Sequence, residues 1–262
     1  MGALLREWRQ GRRLSQLALA LEADVSARHL SYVENGRAQP SREMVGRLAE
    51  ALKIPLRERN DLLVAAGYAP EYSETGLAAP ELAQVRKAVD LILAQQEPYA
   101  AFVLNRHWDI VQANQATVRI FQFLRGGTLH ANVLRQVFDP RDVRPALVNW
   151  EEVAGDLIRH LHDEVAAAPW DTEARALLDE VLRYPGVPSR WLTRELGAVP
   201  PPLLTVVFRK DAQELRFFST ISTFATPRNV TVAELRIECW FPGDGATAEL
   251  CRSLAEADRR SR

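Results

Sequence analysis

The chain has 262 residues, 47% of them apolar and 26% charged, with a formal net charge of −1. That length suits two domains of ~100–200 residues each, and so large an apolar share excludes bulk disorder. Its two cysteines, Cys239 and Cys251, exclude a disulfide framework or a Cys-rich metal site and fit a reducing cytoplasm, and no apolar run reaches the ~18 residues of a membrane span.

The charge is uneven. Residues 1–68 carry 11 Lys/Arg against 8 Asp/Glu, a net of +3, and the remainder carries −4. A basic first domain suits a polyanionic partner such as DNA, and so small an excess points to binding as a dimer. Arg6, Arg9, Arg12 and Arg13 interrupt the apolar core that a leader needs, so none is expected.

Residues 3–12 place Leu4, Leu5 and Trp8 at helical spacing among arginines, an amphipathic first helix. Ser15 is the N-cap of a second, Gln16 to Glu22, in which Leu17, Leu21, Ala18 and Ala20 are expected to pack. Ala23-Asp24 makes a turn and Ser26 caps a third helix, Ala27 to Asn35. Leu30 and Val33 point inward, which leaves Ala27, Arg28, Ser31 and Tyr32 facing out. Gly36 supplies the left-handed C-cap. Pro40-Ser41 opens a fourth helix with Met44, Val45, Leu48 and Leu52 inward, and Pro55 opens a fifth ending near Gly67.

The string Leu14-Ser15-Gln16-Leu17, Val25-Ser26, Leu30-Ser31, Glu34-Asn35-Gly36, Pro40-Ser41 and Leu48-Ala49 resembles the Cro-type (XRE) helix-turn-helix family of regulators. The resemblance covers about 65 residues. It implies that Ala27, Arg28, His29, Ser31 and Tyr32 face base edges, that Gln16, Asn35, Arg37 and Ser41 meet phosphates, and that Arg9 and Glu34 form an internal ion pair. Chemistry fits those roles: an arginine can bond guanine O6 and N7 in parallel, Ala27 and Tyr32 can touch a thymine methyl, and phosphate contacts set register without reading sequence. The plainer alternative is a five-helix bundle that binds protein, with an antitoxin or RNA-binding role beside it.

Residues 69–80, with Pro70, Gly76 and Pro80, read as a linker between a first domain at 1–68 and a second at 81–262. Glu81–Gln96 forms a helix whose apolar stripe packs on the second domain or on a partner copy. Tyr99–Leu104 and Ile110–Ala113 are strands joined by a hairpin, and Asn114 starts a helix. Residues 131–184 are helical by pattern. Leu203–Arg209, Glu214–Ser222 and Leu235–Phe241 are strands, with Asp211-Ala212-Gln213 as a hairpin loop, and a helix from about Thr247 to Arg259 ends the chain. In the last strand Leu235, Ile237, Cys239 and Phe241 alternate with Arg236, Glu238 and Trp240.

The predicted fold class is therefore α+β: a five-helix domain, then a five-stranded antiparallel sheet with helices on one side. That order, with Trp108 to Asn114, resembles a PAS-type sensor fold. Pro98, Asn132-Val133-Leu134-Arg135, Phe138-Asp139-Pro140-Arg141, Asn149-Trp150-Glu151 and Phe241-Pro242-Gly243-Asp244 narrow it. With the N-terminal module, the whole chain is similar to MmyB-like regulators, although Ser189–Pro202 departs from that pattern. The resemblance implies a small hydrophobic ligand, with fatty acids the leading class. Inward apolar side chains would line the pocket, with Phe102, Leu104, Phe121, Trp150, Phe208, Phe217, Ile221 and Cys239 as candidates and core filling as their alternative.

Other constellations are weaker. His160 and Glu164 share a helix face, but no third ligand is near, so no metal is expected. No nucleophile elbow occurs, Gly126-Gly127 is a turn, and Asp139–Arg144 reads as solvated helix-start chemistry. The expectation is a cytoplasmic, homodimeric regulator of double-stranded DNA that is no enzyme, needs no cofactor beyond a possible fatty-acid-like ligand, and has no membrane partner. Its rivals are a regulator whose second domain only dimerises or recruits a protein, and an enzyme fused to a DNA module.

Overall fold

A computed structural model describes residues 1–193 and 203–260. They form two compact units: Met1–Ala79 with Phe224–Ala233, and Pro80–Thr223 with Glu234 onward. The stretch 69–79, expected as a linker, belongs to the first unit, and so does a late segment between two strands of the second. Of the Ser189–Pro202 stretch, residues 194–202 lie outside the described residues.

The first unit holds α1 (Gly2–Gly11), α2 (Gln16–Glu22), α3 (Ala27–Glu34), α4 (Arg42–Ala51) and α5 (Leu56–Ala65). Three serines end three runs of free backbone donors. Ser15 Oγ accepts from Ala18 N (3.0 Å), Ser26 Oγ from His29 N (3.4 Å) and Ser41 Oγ from Met44 N (3.2 Å). The turn after α2 uses Asp24 at φ 51°, a left-handed conformation that Asp tolerates. After α3, Gly36 at φ 69° lets Gly36 N reach Val33 O (3.1 Å) and Arg37 N reach Tyr32 O (2.8 Å), closing the helix in a Schellman motif.

Leu5, Trp8, Leu19, Leu30, Val33, Leu48 and Leu52 make the core of this unit. Leu17 and Leu21 do not pack as expected: they are 61% and 75% exposed. The buried stripe of α2 is Leu19 and Ala20, continued by Ala23, and the small alanines let α2 lie close to α3.

The second unit begins with α6 (Ala83–Gln95), then β1 (Ala101–Leu104), β2 (Ile110–Ala113), α7 (Gln115–Arg125), α8 (Val133–Phe138), α9 (Trp150–Ala167) and α10 (Thr172–Val181). It continues with β3 (Thr205–Lys210) and β4 (Gln213–Ser222), and, after the short α11 (Val230–Glu234), whose residues up to Ala233 belong to the first unit, with β5 (Arg236–Pro242) and α12 (Gly245–Arg260). The sheet order is β2-β1-β5-β4-β3, antiparallel throughout. Register pairs Phe102 with Glu238 and Ile221 with Glu238 across the centre. All four residues of β1 are buried, and α6 packs on this strand.

Asn114 ties the start of α7 to the sheet. Its Oδ1 accepts from Thr117 N (3.0 Å) and Ala101 N (3.1 Å), and its Nδ2 donates to Leu93 O and Tyr99 O. Asp139 and Asp142 are not solvated, as Asp139–Arg144 was expected to be; they are 0% and 2% exposed. Asp139 takes a bidentate bond from Arg141 and one from His130, which hold its carboxyl well below the usual range. Asp142 Oδ2 accepts the N–H groups of Leu129 and His130, while burial pushes its carboxyl up. These two acids fix the loop before α8, a structural task that spacing alone did not reveal.

Candidate functional site

The outer surface of α3 is set by what lies beneath it. Arg9 on α1 reaches Glu34 at the end of α3 with Nε to Oε1 at 2.7 Å and Nη2 to Oε2 at 2.8 Å, and its Nη1 donates to Leu14 O. Glu34 is 5% exposed, and burial alone would push its carboxyl up; the bonds from Arg9 and Gln16 outweigh that and lower it. With Leu30 and Val33 buried, α3 has one inward stripe and one ionic anchor, and its orientation is fixed.

Arg28 and His29 are therefore exposed, Tyr32 is 36% exposed, and Ala27 and Ser31 are half-buried. Arg28 Nε donates to Tyr32 Oη (3.2 Å) and its guanidinium lies 5.5 Å from the Tyr32 ring. A guanidinium has five N–H donors, so four remain for a base edge.

The four residues assigned to phosphates differ among themselves. Arg37 and Ser41 are exposed, and Ser41 already caps α4. Asn35 is exposed at the C-cap, with Nδ2 on Ser31 O (2.8 Å) and Oδ1 accepting from Arg6 Nη2 (2.7 Å). Gln16 is half-buried and its Nε2 donates to Glu34 Oε2 (2.8 Å), so in this state the amide is held by the anchor.

The second candidate site lies inside the second unit. A cavity of about 160 Å³ opens between the sheet and the helices α7, α8 and α9. Its walls include Phe102, Phe121, Phe208 and Ile221, four of the eight side chains proposed from sequence, together with Trp108, Val137, Leu157 and Trp240. The aromatic wall is continuous: Phe102, Phe121 and Phe208 lie 5.5–5.9 Å from the Trp240 ring, and Phe217 backs that ring from the core at 5.2 Å.

The other four candidates do not line it. Leu104 and Phe217 are fully buried core. Trp150 packs on Phe138 and Trp191 and spends its indole N–H on Val137 O (2.8 Å). Cys239 stands on the opposite face of β5 from its neighbours Glu238 and Trp240, which do line the cavity. Sequence reading took the more apolar set of β5 as the inner one; β5 is covered enough on both sides for the less apolar set to face the cavity.

Polar groups at the cavity are Gln136, Asp156, His160, Ser219 and Glu238. Burial pushes the Glu238 carboxyl up, against the bonds from Trp240 and Ser219 and the charge of Arg236 that favour its ionised form. Among the described residues no group of three or more His, Cys, Asp and Glu side chains could hold a metal ion, and no helix is long and apolar enough to cross a membrane.

Comparison with known proteins follows this division. A model of the MmyB-like transcription regulator ligand binding domain matches residues 85–254, and a helix-turn-helix model matches residues 5–59. No curated protein matches. Among solved structures, one titled "Structure of an RNA-binding Light-Oxygen-Voltage Receptor" is 13% identical, covers 100% of this chain and has a TM-score of 0.26, too weak a likeness to bear on the fold. This chain spans 62% of that receptor chain. The ligand-binding match covers more than half of the sequence and the helix-turn-helix match precedes it, so the chain belongs to the MmyB-like transcription regulators, with a DNA-binding domain followed by a ligand-binding domain.

Proposed function

We propose that this regulator is a homodimer that reads specific DNA sequence through α3 and responds to a small hydrophobic ligand held in the cavity of its second unit. The observation that carries the reading is the aromatic-walled cavity of about 160 Å³ inside the ligand-binding match. An empty apolar cavity of ~150 Å³ accepts a molecule the size of benzene. A fatty-acid-like hydrocarbon chain, the class that the family resemblance implies, would enter as a short chain or by one end, with Ile221, 51% exposed, at the mouth. The strand order β2-β1-β5-β4-β3 supports a PAS-like sensor arrangement.

Two copies would place their α3 helices in successive major grooves, about 34 Å apart. Ligand can shift that arrangement only by binding one state better than another. Such a protein works where DNA is, in the cytoplasm. Native mass spectrometry of the full chain tests the reading. The expected result is a dimer that retains an apolar molecule; a ligand-free mass from several expression hosts, with no uptake of added hydrophobes, favours a purely dimerising or recruiting second domain.

A further inference from the structure

The residues assigned to DNA phosphates bring little charge. Gln16 and Asn35 are amides already bonded within the protein, Ser41 is neutral and caps α4, and Arg37 alone is a cation. Phosphate binding draws its strength from cations that displace the counterions condensed on DNA. The cation beside Ser41 is Arg42, exposed at the first position of α4.

An acid from a distant part of the first unit holds Arg42. Its Nη2 bonds Glu71 Oε2 at 3.3 Å, and the two side chains are 46% and 51% exposed. The segment 70–74 that presents Glu71 is laid along α5 by its backbone. Asn60 Oδ1 accepts from Glu71 N (2.9 Å) and Tyr72 N (3.0 Å), and Asn60 Nδ2 donates to Tyr72 O (2.7 Å). Arg57 pairs with Glu74 at 2.5 Å, and Tyr68 Oη donates to Pro40 O at 3.0 Å, two residues before Arg42. None of these contacts uses the Glu71 carboxylate, which can leave Arg42 while the segment stays in place.

Stability gives this pair little purpose. An exposed ion pair adds little to a fold, and a cation in the first turn of a helix opposes the positive end of the helix dipole. An anion beside Arg42 relieves that conflict, and Glu71 supplies it. Glu43, one residue on, lies about 100° further round the helix, so Glu71 is the acid that meets Arg42. A DNA phosphate offers the same charge in a form that a guanidinium binds by two parallel bonds.

On the reading that Arg37 and Ser41 meet phosphates, we propose that Arg42 is a further phosphate contact and that Glu71 competes with DNA for it. The segment 70–74 is then an acidic brake on DNA binding, carried by the DNA-binding unit itself. Each copy of the chain that engages a duplex breaks one Arg42–Glu71 pair and gains one phosphate. The freed Glu71 carboxylate gathers a cation from solution, which offsets the counterion that the phosphate gives up.

The test uses the full chain with Glu71→Gln, Arg42→Gln and both together, on duplexes of selected and of random sequence over a range of salt. Thermal melts followed by circular dichroism report that each variant is folded. The expected result is that Glu71→Gln tightens both duplexes alike, by about two- to five-fold per bound copy, as the loss of an exposed pair allows. It also steepens the salt dependence by about one unit per copy, because the offsetting cation is no longer gathered. Arg42→Gln weakens both duplexes alike, and in its presence Glu71→Gln changes little. No gain from Glu71→Gln, a gain of equal size in the Arg42→Gln background, or wild-type affinity in Arg42→Gln overturns the proposal and leaves the contacts of Arg37 and Ser41 standing. A wild-type chain that binds neither duplex overturns those contacts as well.

Discussion

Asn229, on the segment between β4 and β5, donates from Nδ2 to Ser73 Oγ at 3.1 Å and to Thr75 Oγ1 at 3.0 Å, while Val230 N reaches Ser73 O at 2.9 Å. The segment 224–233 is thereby part of the first unit, although the strands on either side of it carry the cavity residues Ile221 and Glu238. The chain thus runs from the ligand-binding sheet into the DNA-binding unit and back. This is a second covalent route between the units, beside the one that leads into α6.

A first prediction follows from that path. Asn229→Ala should leave DNA affinity without ligand, and affinity for a small apolar probe such as hexan-1-ol without DNA, close to wild type. It should reduce the effect of one on the other several-fold, within the ~1–3 kcal/mol typical of coupling between sites. Duplex anisotropy with and without hexan-1-ol measures it. Unchanged coupling would assign transmission to α6 instead.

The Arg9–Glu34 pair should behave as a buried ion pair rather than a surface one. Glu34→Ala leaves the Arg9 guanidinium without its partner and should cost about 3–5 kcal/mol of first-unit stability, whereas Arg9→Met with Glu34→Leu should cost far less. The Glu34 carboxyl is held below its ordinary value, so its contribution is complete above the unfolded pKa of 4.5 and is lost as pH falls through the lower folded value. Urea unfolding of single and double variants at neutral and acid pH checks both signs.

Asp171 gives the same sign in the second unit. It caps α10 by accepting Ala174 N at 3.0 Å and pairs with Arg106 and His107. Burial pushes its carboxyl up, but these bonds outweigh that and hold it at about 2, below the ordinary 3.8. Stability from Asp171 is therefore present above pH 3.8 and lost as pH falls toward 2. Asp171→Asn should lose about 1–2 kcal/mol at pH 7, after allowance for solvent screening, and should show a flatter acid limb in urea melts.

Local rules made much of this structure legible. Ser15, Ser26, Ser41 and Asn114 each cap the helix that follows them, because their short polar side chains can reach a free backbone N–H. Leu30 and Val33 marked the inner stripe of α3, and the alternation of β5 was correctly spaced. What alternation cannot give is which face of a strand meets the cavity, and there Cys239 was exchanged for Glu238 and Trp240. Leu17 and Leu21 misled for a related reason: α2 is only seven residues long, and small alanines beside Leu19 form its contact surface. The role of Asn229 was out of reach, since its partner Ser73 lies 156 residues away and α11 is five residues long.

The most direct measurement is selection of duplex DNA by the full chain, followed by anisotropy with Arg28→Ala and Arg37→Ala. The account predicts enriched sites with two half-sites about 10 base pairs apart. Arg28→Ala should lose preference for them by about 1–3 kcal/mol, whereas Arg37→Ala should weaken selected and random duplexes alike and flatten the salt dependence. Failure to enrich any sequence, or equal losses on selected and random DNA for both variants, would contradict it.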